Sequence, residues 1–223
     1  MRLVITGTGR CGTVYLAKLL TLSGIQCGHE SFFTYKGFDK ELLPDVGDVI
    51  NSDCSVREGL PKVFVNPQAD SSLYAAPYLS ELKNLEVYHL VRHPLKVIKS
   101  FALDLKFFQK KFKFRRSVTE KFIYSHYPSV SLQVNSVDRA AAYYLECNRI
   151  IEKSCSQRYR LEYDLEELLS KIGLKFDLMP LQNNINSFSK RHKLAPDICL
   201  SNITSKDLRE NLVKLASDYG YDL

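Results

Sequence analysis

At 223 residues and 45% hydrophobic, the chain can bury a full core, and one domain over 1–223 is expected. Its net charge of +6 suits an anionic ligand such as a nucleotide, sulfate or acidic glycan, and much of the excess lies in one segment, so a general nucleic-acid footprint is not required. No apolar run reaches transmembrane length, and the six cysteines occur singly without metal-ligand spacing, which points to reduced thiols in a cytoplasm and to no bound metal.

In chain order, Leu3-Val4-Ile5 reads as a strand that starts too early to leave room for a signal peptide. Gly7, Gly9 and Gly12 then punctuate a turn, and Leu16, Leu19 and Leu20 recur at helical spacing. A strand, glycine loop and helix in that order turn backbone N–H groups toward one point at the positive end of the helix dipole. Thr8, Gly9, Arg10, Cys11, Gly12 and Thr13 are therefore candidate anion-binding residues, Arg10 adding a full charge and Thr13 a hydroxyl. A thiol at such a helix start can acidify, yet Cys11 reads better as a small loop residue.

The loop alone fits three anions. Gly7 and Gly12 have the spacing of an ATP/GTP phosphate loop, but Thr13 follows Gly12 directly and the lysine is missing. Gly7, Gly9 and Gly12 match the dinucleotide pattern G-x-G-x-x-G, with Glu30 at a plausible distance for a ribose contact. The third fit is a loop with a basic residue inside the turn and Gly-Thr opening the helix, as in Arg10-Cys11-Gly12-Thr13; it resembles the donor loop of sulfotransferases.

Further on, Gly24 to Cys27 reads as a short strand emptying into Gly28-His29-Glu30-Ser31. Asp48–Asn51 and Lys62–Val65 are further strand candidates, and Asp70-Ser71-Ser72 reads as the cap of a helix carrying Leu73 to Leu79. Glu86 to Val91 is the strongest mid-chain strand; Arg92-His93 ends it, and Pro94 sets the first turn of the next helix. A basic-aromatic stretch at 106–116 would grip an acidic glycan or an anionic lipid surface, or equally form a solvated helix with its phenylalanines in the core. Val137–Ile151 is an amphipathic helix and Arg158–Tyr163 the last strand. Asp164 caps a short helix, and Thr204 or Ser205 caps the final one. Alternating strands and helices argue for a parallel sheet covered on both faces.

The end of the 86–91 strand discriminates among the loops. A nucleotide hydrolase normally places an acidic residue there to hold Mg²⁺, whereas here it is Arg92, which repels a divalent cation and attracts a second anion. With Ser100 eight positions later, Arg92 completes a pair that resembles the 3′-phosphate site of sulfotransferases using 3′-phosphoadenosine 5′-phosphosulfate (PAPS). The likeness extends to Ala75-Ala76-Pro77-Tyr78-Leu79, to Ala141-Ala142-Tyr143-Tyr144 through Asn148, and to Arg160 through Leu165, and so covers most of the chain. It departs at Arg10, where many members carry Lys, and at Tyr143 and Tyr144, where Trp is frequent.

The resemblance implies a three-layer α/β/α, P-loop-like sulfotransferase fold of the small soluble branch, with PAPS as co-substrate and adenosine 3′,5′-bisphosphate as product. It implies that Thr8 to Thr13 hold the 5′-phosphate, Arg10 the bridging oxygen, and Arg92 with Ser100 the 3′-phosphate, with Lys190 and Arg191 as late basic contacts. Glu30 is the implied general base, with His29 second and Asp70 third, for an acceptor hydroxyl on a carbohydrate, lipid or other small molecule. Two alternatives stay open: a non-catalytic nucleotide-binding protein of the same fold, and an NAD(P)-binding oxidoreductase. The second lacks the Tyr-x-x-x-Lys that a short-chain reductase needs for proton transfer.

Overall fold

The computed structural model describes residues 3–38, 49–51, 56–57, 59–64, 66–109, 114–174 and 195–223. Its centre is a five-stranded parallel sheet in the order β2-β5-β1-β6-β7, with β1 at Leu3–Thr6, β2 at Cys27–His29, β5 at Ala69–Ser71, β6 at Glu86–Val91 and β7 at Arg158–Arg160. A separate antiparallel hairpin pairs β3, Val49–Ile50, with β4, Val63–Phe64. β1 is buried along its whole length and pairs with β5 on one side and β6 on the other. The chain leaves β1 for the β2 edge, returns to fill the gap with β5, then crosses to β6. Reversals of this kind open a crevice at the carboxyl ends of the central strands.

Helices fill the connections: α1 at Thr13–Leu22, a 3₁₀ helix at Leu73–Glu81, α2 at Pro94–Lys99, α3 at Phe114–His126 and α4 at Pro128–Ser131. After them come α5 at Ser136–Glu152, α6 at Leu165–Lys171, a short 3₁₀ turn at Leu200–Asn202 and α7 at Lys206–Asp218. The architecture is α/β and compatible with three layers, and the buried side chains form a contiguous core through β1, β6, α1 and α5. No described helix is long and apolar enough to cross a membrane. α2 continues into a π turn at Ser100–Asp104, so Ser100 sits where the helical hydrogen-bond register changes.

Three expectations are corrected. The second strand is Cys27–His29, not Gly24–Cys27, because Gly24 (φ 92°) reverses the chain after α1 and Ile25 donates its N–H back to Leu20 at 2.9 Å. Asp70 is no helix cap. It lies inside the buried strand β5, and Ser72 caps the 3₁₀ helix by accepting from the Tyr74 N–H at 3.1 Å. Asp164 stands at the start of α6 without capping it, since its carboxylate is taken by three hydrogen bonds from Arg160, at 2.8, 2.8 and 2.9 Å. For the final helix, Ser205 is the cap, while Thr204 bonds to Asp138 on α5.

Candidate active site

The loop from Gly7 to Gly12 joins the end of β1 to α1, and its glycines answer to packing. A Cβ on Gly7 would stand 2.1 Å from the Leu90 carbonyl oxygen of β6, and one on Gly9 would stand 2.5 Å from the Phe101 ring. Gly12, at φ 107°, is the residue before α1, and no side chain caps the first turn of that helix. The N–H groups of that turn have no intrahelical acceptor, the chemistry by which helix starts receive anions, although the Thr13 N–H faces the Cys11 thiol. Not every loop N–H is available, however. Gly9 donates to the buried Tyr143 hydroxyl at 3.1 Å, and Cys11 donates to the Thr8 carbonyl at 3.2 Å. Gly9 thus anchors the loop to α5, and Thr8, almost wholly buried, closes its tight turn. Cys11 is also buried. Burial pushes its thiol up to about 12, with the nearby Cys147 adding and Arg92 opposing, so it is no reactive thiolate.

Arg10 occupies the left-handed region at φ 73°, a conformation of order 1 kcal/mol above the ordinary ones for a residue with a Cβ. Its Nε donates to Ser100 Oγ at 3.1 Å, across 90 positions of sequence. Arg92, at the end of β6, sends a guanidinium N–H to the Arg10 carbonyl at 3.1 Å. The two cationic motifs therefore meet at one place, at the carboxyl ends of β1 and β6. Tyr144 of α5 holds the Arg92 carbonyl at 2.9 Å.

On the other side of the loop, Thr13 Oγ1 lies 3.0 Å from His29 Nε2, at the end of β2. Glu30 follows in a left-handed conformation (φ 52°), with its carboxylate 3.7 Å from the same imidazole nitrogen. His29 is 3% exposed and Glu30 keeps a partly open face, 16%. Burial lowers His29 to about 3, with Arg10 adding to the effect, so the imidazole is neutral at any ordinary pH. Burial pushes Glu30 up to about 8, the neighbouring Asp70 carboxylate adding and Arg10 offsetting part.

Asp70 has different work. Its two oxygens accept from Ser31 Oγ at 2.8 Å and from the backbone N–H groups of Ser31, Phe32 and Phe33 at 3.2–3.3 Å. That carboxylate clamps the turn after Glu30 and has no face left for a substrate proton. It is a positioning group, and the expectation of a third candidate base is corrected accordingly.

Of the expected site residues, the structure brings Thr8 to Thr13, His29, Glu30, Arg92 and Ser100 into one continuous cluster. Lys190 and Arg191 lie outside the described residues, as do 110–113 of the basic-aromatic stretch. Ala195 and Asp197 dock beside the cluster, Ala195 donating to Asp104 at 3.0 Å and Asp197 pairing with Lys99 at 3.0 Å. Sequence reasoning missed Asn51, whose Oδ1 accepts from the His29 N–H at 2.8 Å while its Nδ2 reaches the Pro61 carbonyl at 2.7 Å. Nothing about a lone Asn beside a weak strand announces that role. It also missed Tyr143 as the loop's anchor, although Tyr143 was visible as an aromatic in a helix with small neighbours. Compared with known proteins, the chain matches no protein-family model and no curated protein.

Proposed function

We propose that this chain is a PAPS-dependent sulfotransferase of P-loop-like fold, moving a sulfuryl group to a hydroxyl of a carbohydrate, lipid or other small acceptor. The observation that carries the reading is the junction of Arg10, Arg92 and Ser100, because a donor phosphorylated at both 5′ and 3′ ends needs two adjoining cationic anchors. The uncapped first turn of α1 and the Thr13 hydroxyl suit the 5′-phosphate. Arg92 and Ser100 suit the 3′-phosphate, and the guanidinium fork suits its oxygens.

In this reading Arg10 leaves Ser100 to meet the oxygen bridging phosphorus and sulfur, where negative charge grows. Glu30 takes the acceptor's proton as the acceptor oxygen bonds to sulfur and the sulfur–oxygen bond to the phosphate breaks. His29 keeps Thr13 oriented and does not itself reach the acceptor, since it is buried. Positioning and preorganised charge supply most of the acceleration.

Thermal shift is the direct test. Adenosine 3′,5′-bisphosphate should raise the melting temperature, and a shift from NADP⁺ alone would refute the assignment. Arg92→Ala should weaken bisphosphate binding by roughly 10- to 100-fold, the value of one charged hydrogen-bonding group. Calorimetric titration of the variant checks that figure.

A further inference from the structure

Arg92 is held by more than the loop, and the second hold comes from the far end of the chain. Glu162, just beyond β7, places Oε1 3.7 Å from Arg92 Nε and 3.6 Å from Lys96 Nζ. Its other oxygen accepts from the Tyr221 hydroxyl at 2.7 Å. Tyr221 follows α7 and is 5% exposed, its ring packed edge-on against His93 at 5.4 Å. The carboxylate is therefore fixed from behind before it meets the guanidinium. Meanwhile a second guanidinium N–H is spent on the Arg10 carbonyl, so the fork has little rotational freedom.

We propose that Glu162, braced by Tyr221, is a positioning residue for Arg92 that sets recognition of the donor's 3′-phosphate. The inference rests on the reading of Arg92 given above. A guanidinium on a long side chain pays rotamer entropy each time it is ordered on a ligand. Fixing it in advance moves that cost into folding, as outer-shell partners do for metal ligands. Glu162 also has a second cation, Lys96, which limits the carboxylate's competition with an incoming phosphate.

The test compares adenosine 3′,5′-bisphosphate with adenosine 5′-monophosphate by calorimetry on the full chain, for the wild type, Tyr221→Phe and Glu162→Asp. Both substitutions keep every charge, so a changed preference reports placement and not field strength. Each should lower the preference for the bisphosphate by roughly tenfold, the low end of what outer-shell partners cost, and leave monophosphate affinity unchanged. An unchanged preference in both variants overturns the inference while leaving the Arg92 assignment standing. Equal weakening of both nucleotides also overturns it, because that is the signature of a merely structural role. A wild type with no preference for the bisphosphate removes the reading of Arg92 itself, and the inference with it.

Discussion

Glu30→Gln is expected to lower kcat by about 10²- to 10⁴-fold while leaving binding of adenosine 3′,5′-bisphosphate nearly unchanged. The amide keeps the shape of the carboxyl group and cannot accept the acceptor's proton. His29 does not take over, because it is buried against Thr13 and its value of about 3 makes it too weak a base to hold the acceptor's proton at ordinary pH. Donor affinity is spared since Arg10, Thr13, Arg92 and Ser100 are untouched. Radiolabelled transfer assays paired with calorimetry check both halves. A variant that still turns over within threefold of wild type removes Glu30 from the mechanism.

The pH dependence separates the two candidate bases. A base works in its deprotonated form, so a Glu30 held up at about 8 gives a kcat/KM that climbs about tenfold per unit below that value and levels above it. A His29 base at about 3 would give a profile flat from pH 5 upward. Stability moves in the opposite sense. The folded-state value of Glu30 lies above its ordinary 4.5, so the native state holds the proton more tightly than the unfolded chain. The resulting stabilisation is full below about pH 4.5 and is lost as the pH rises through about 8. The Gln variant lacks that loss, and its melting temperature should gain on the wild type across this window. That gain is measurable even where no acceptor is known.

Legibility in the sequence followed the length and regularity of each element. Glu86–Val91 and the helix around Val137–Ile151 are long periodic segments, and both formed within a residue of their expected ends. The short strands misled. Three residues carry too little periodicity to outweigh local chemistry, so Asp70 and Ser71 read with Ser72 as a helix cap, whereas tertiary pairing with β1 and β2 makes those two part of a strand and leaves the capping to Ser72 alone. Within the site, the residues on the glycine loop and after β6 were visible because strand ends and turns mark them. The partners that hold them were not. Tyr143 meets Gly9 across 134 positions and Tyr221 meets Glu162 across 59, and no local pattern encodes a contact made only by folding.

Gly7→Ala should destabilise the protein by about 3 kcal/mol or more, lowering the melting temperature by about 6–12 °C. The added Cβ would stand 2.1 Å from the Leu90 carbonyl oxygen, which belongs to the backbone of the neighbouring strand. No rotamer relieves that contact, so β1 and β6 must separate where Thr6 pairs with His89. Gly9→Ala meets the Phe101 side chain at 2.5 Å, and an aromatic ring can tilt, so a smaller loss is expected there. Gly24→Ala has open space around it and pays only for its left-handed φ of 92°, about 1 kcal/mol. Chemical denaturation of the three variants should rank them Gly7, Gly9, Gly24 in falling cost. An inverted order would mean that backbone conformation, and not the approach of β6, governs the loop. The same approach carries Arg92 to the Arg10 carbonyl, so a Gly7 variant that folds should also lose the contact between the glycine loop and Arg92.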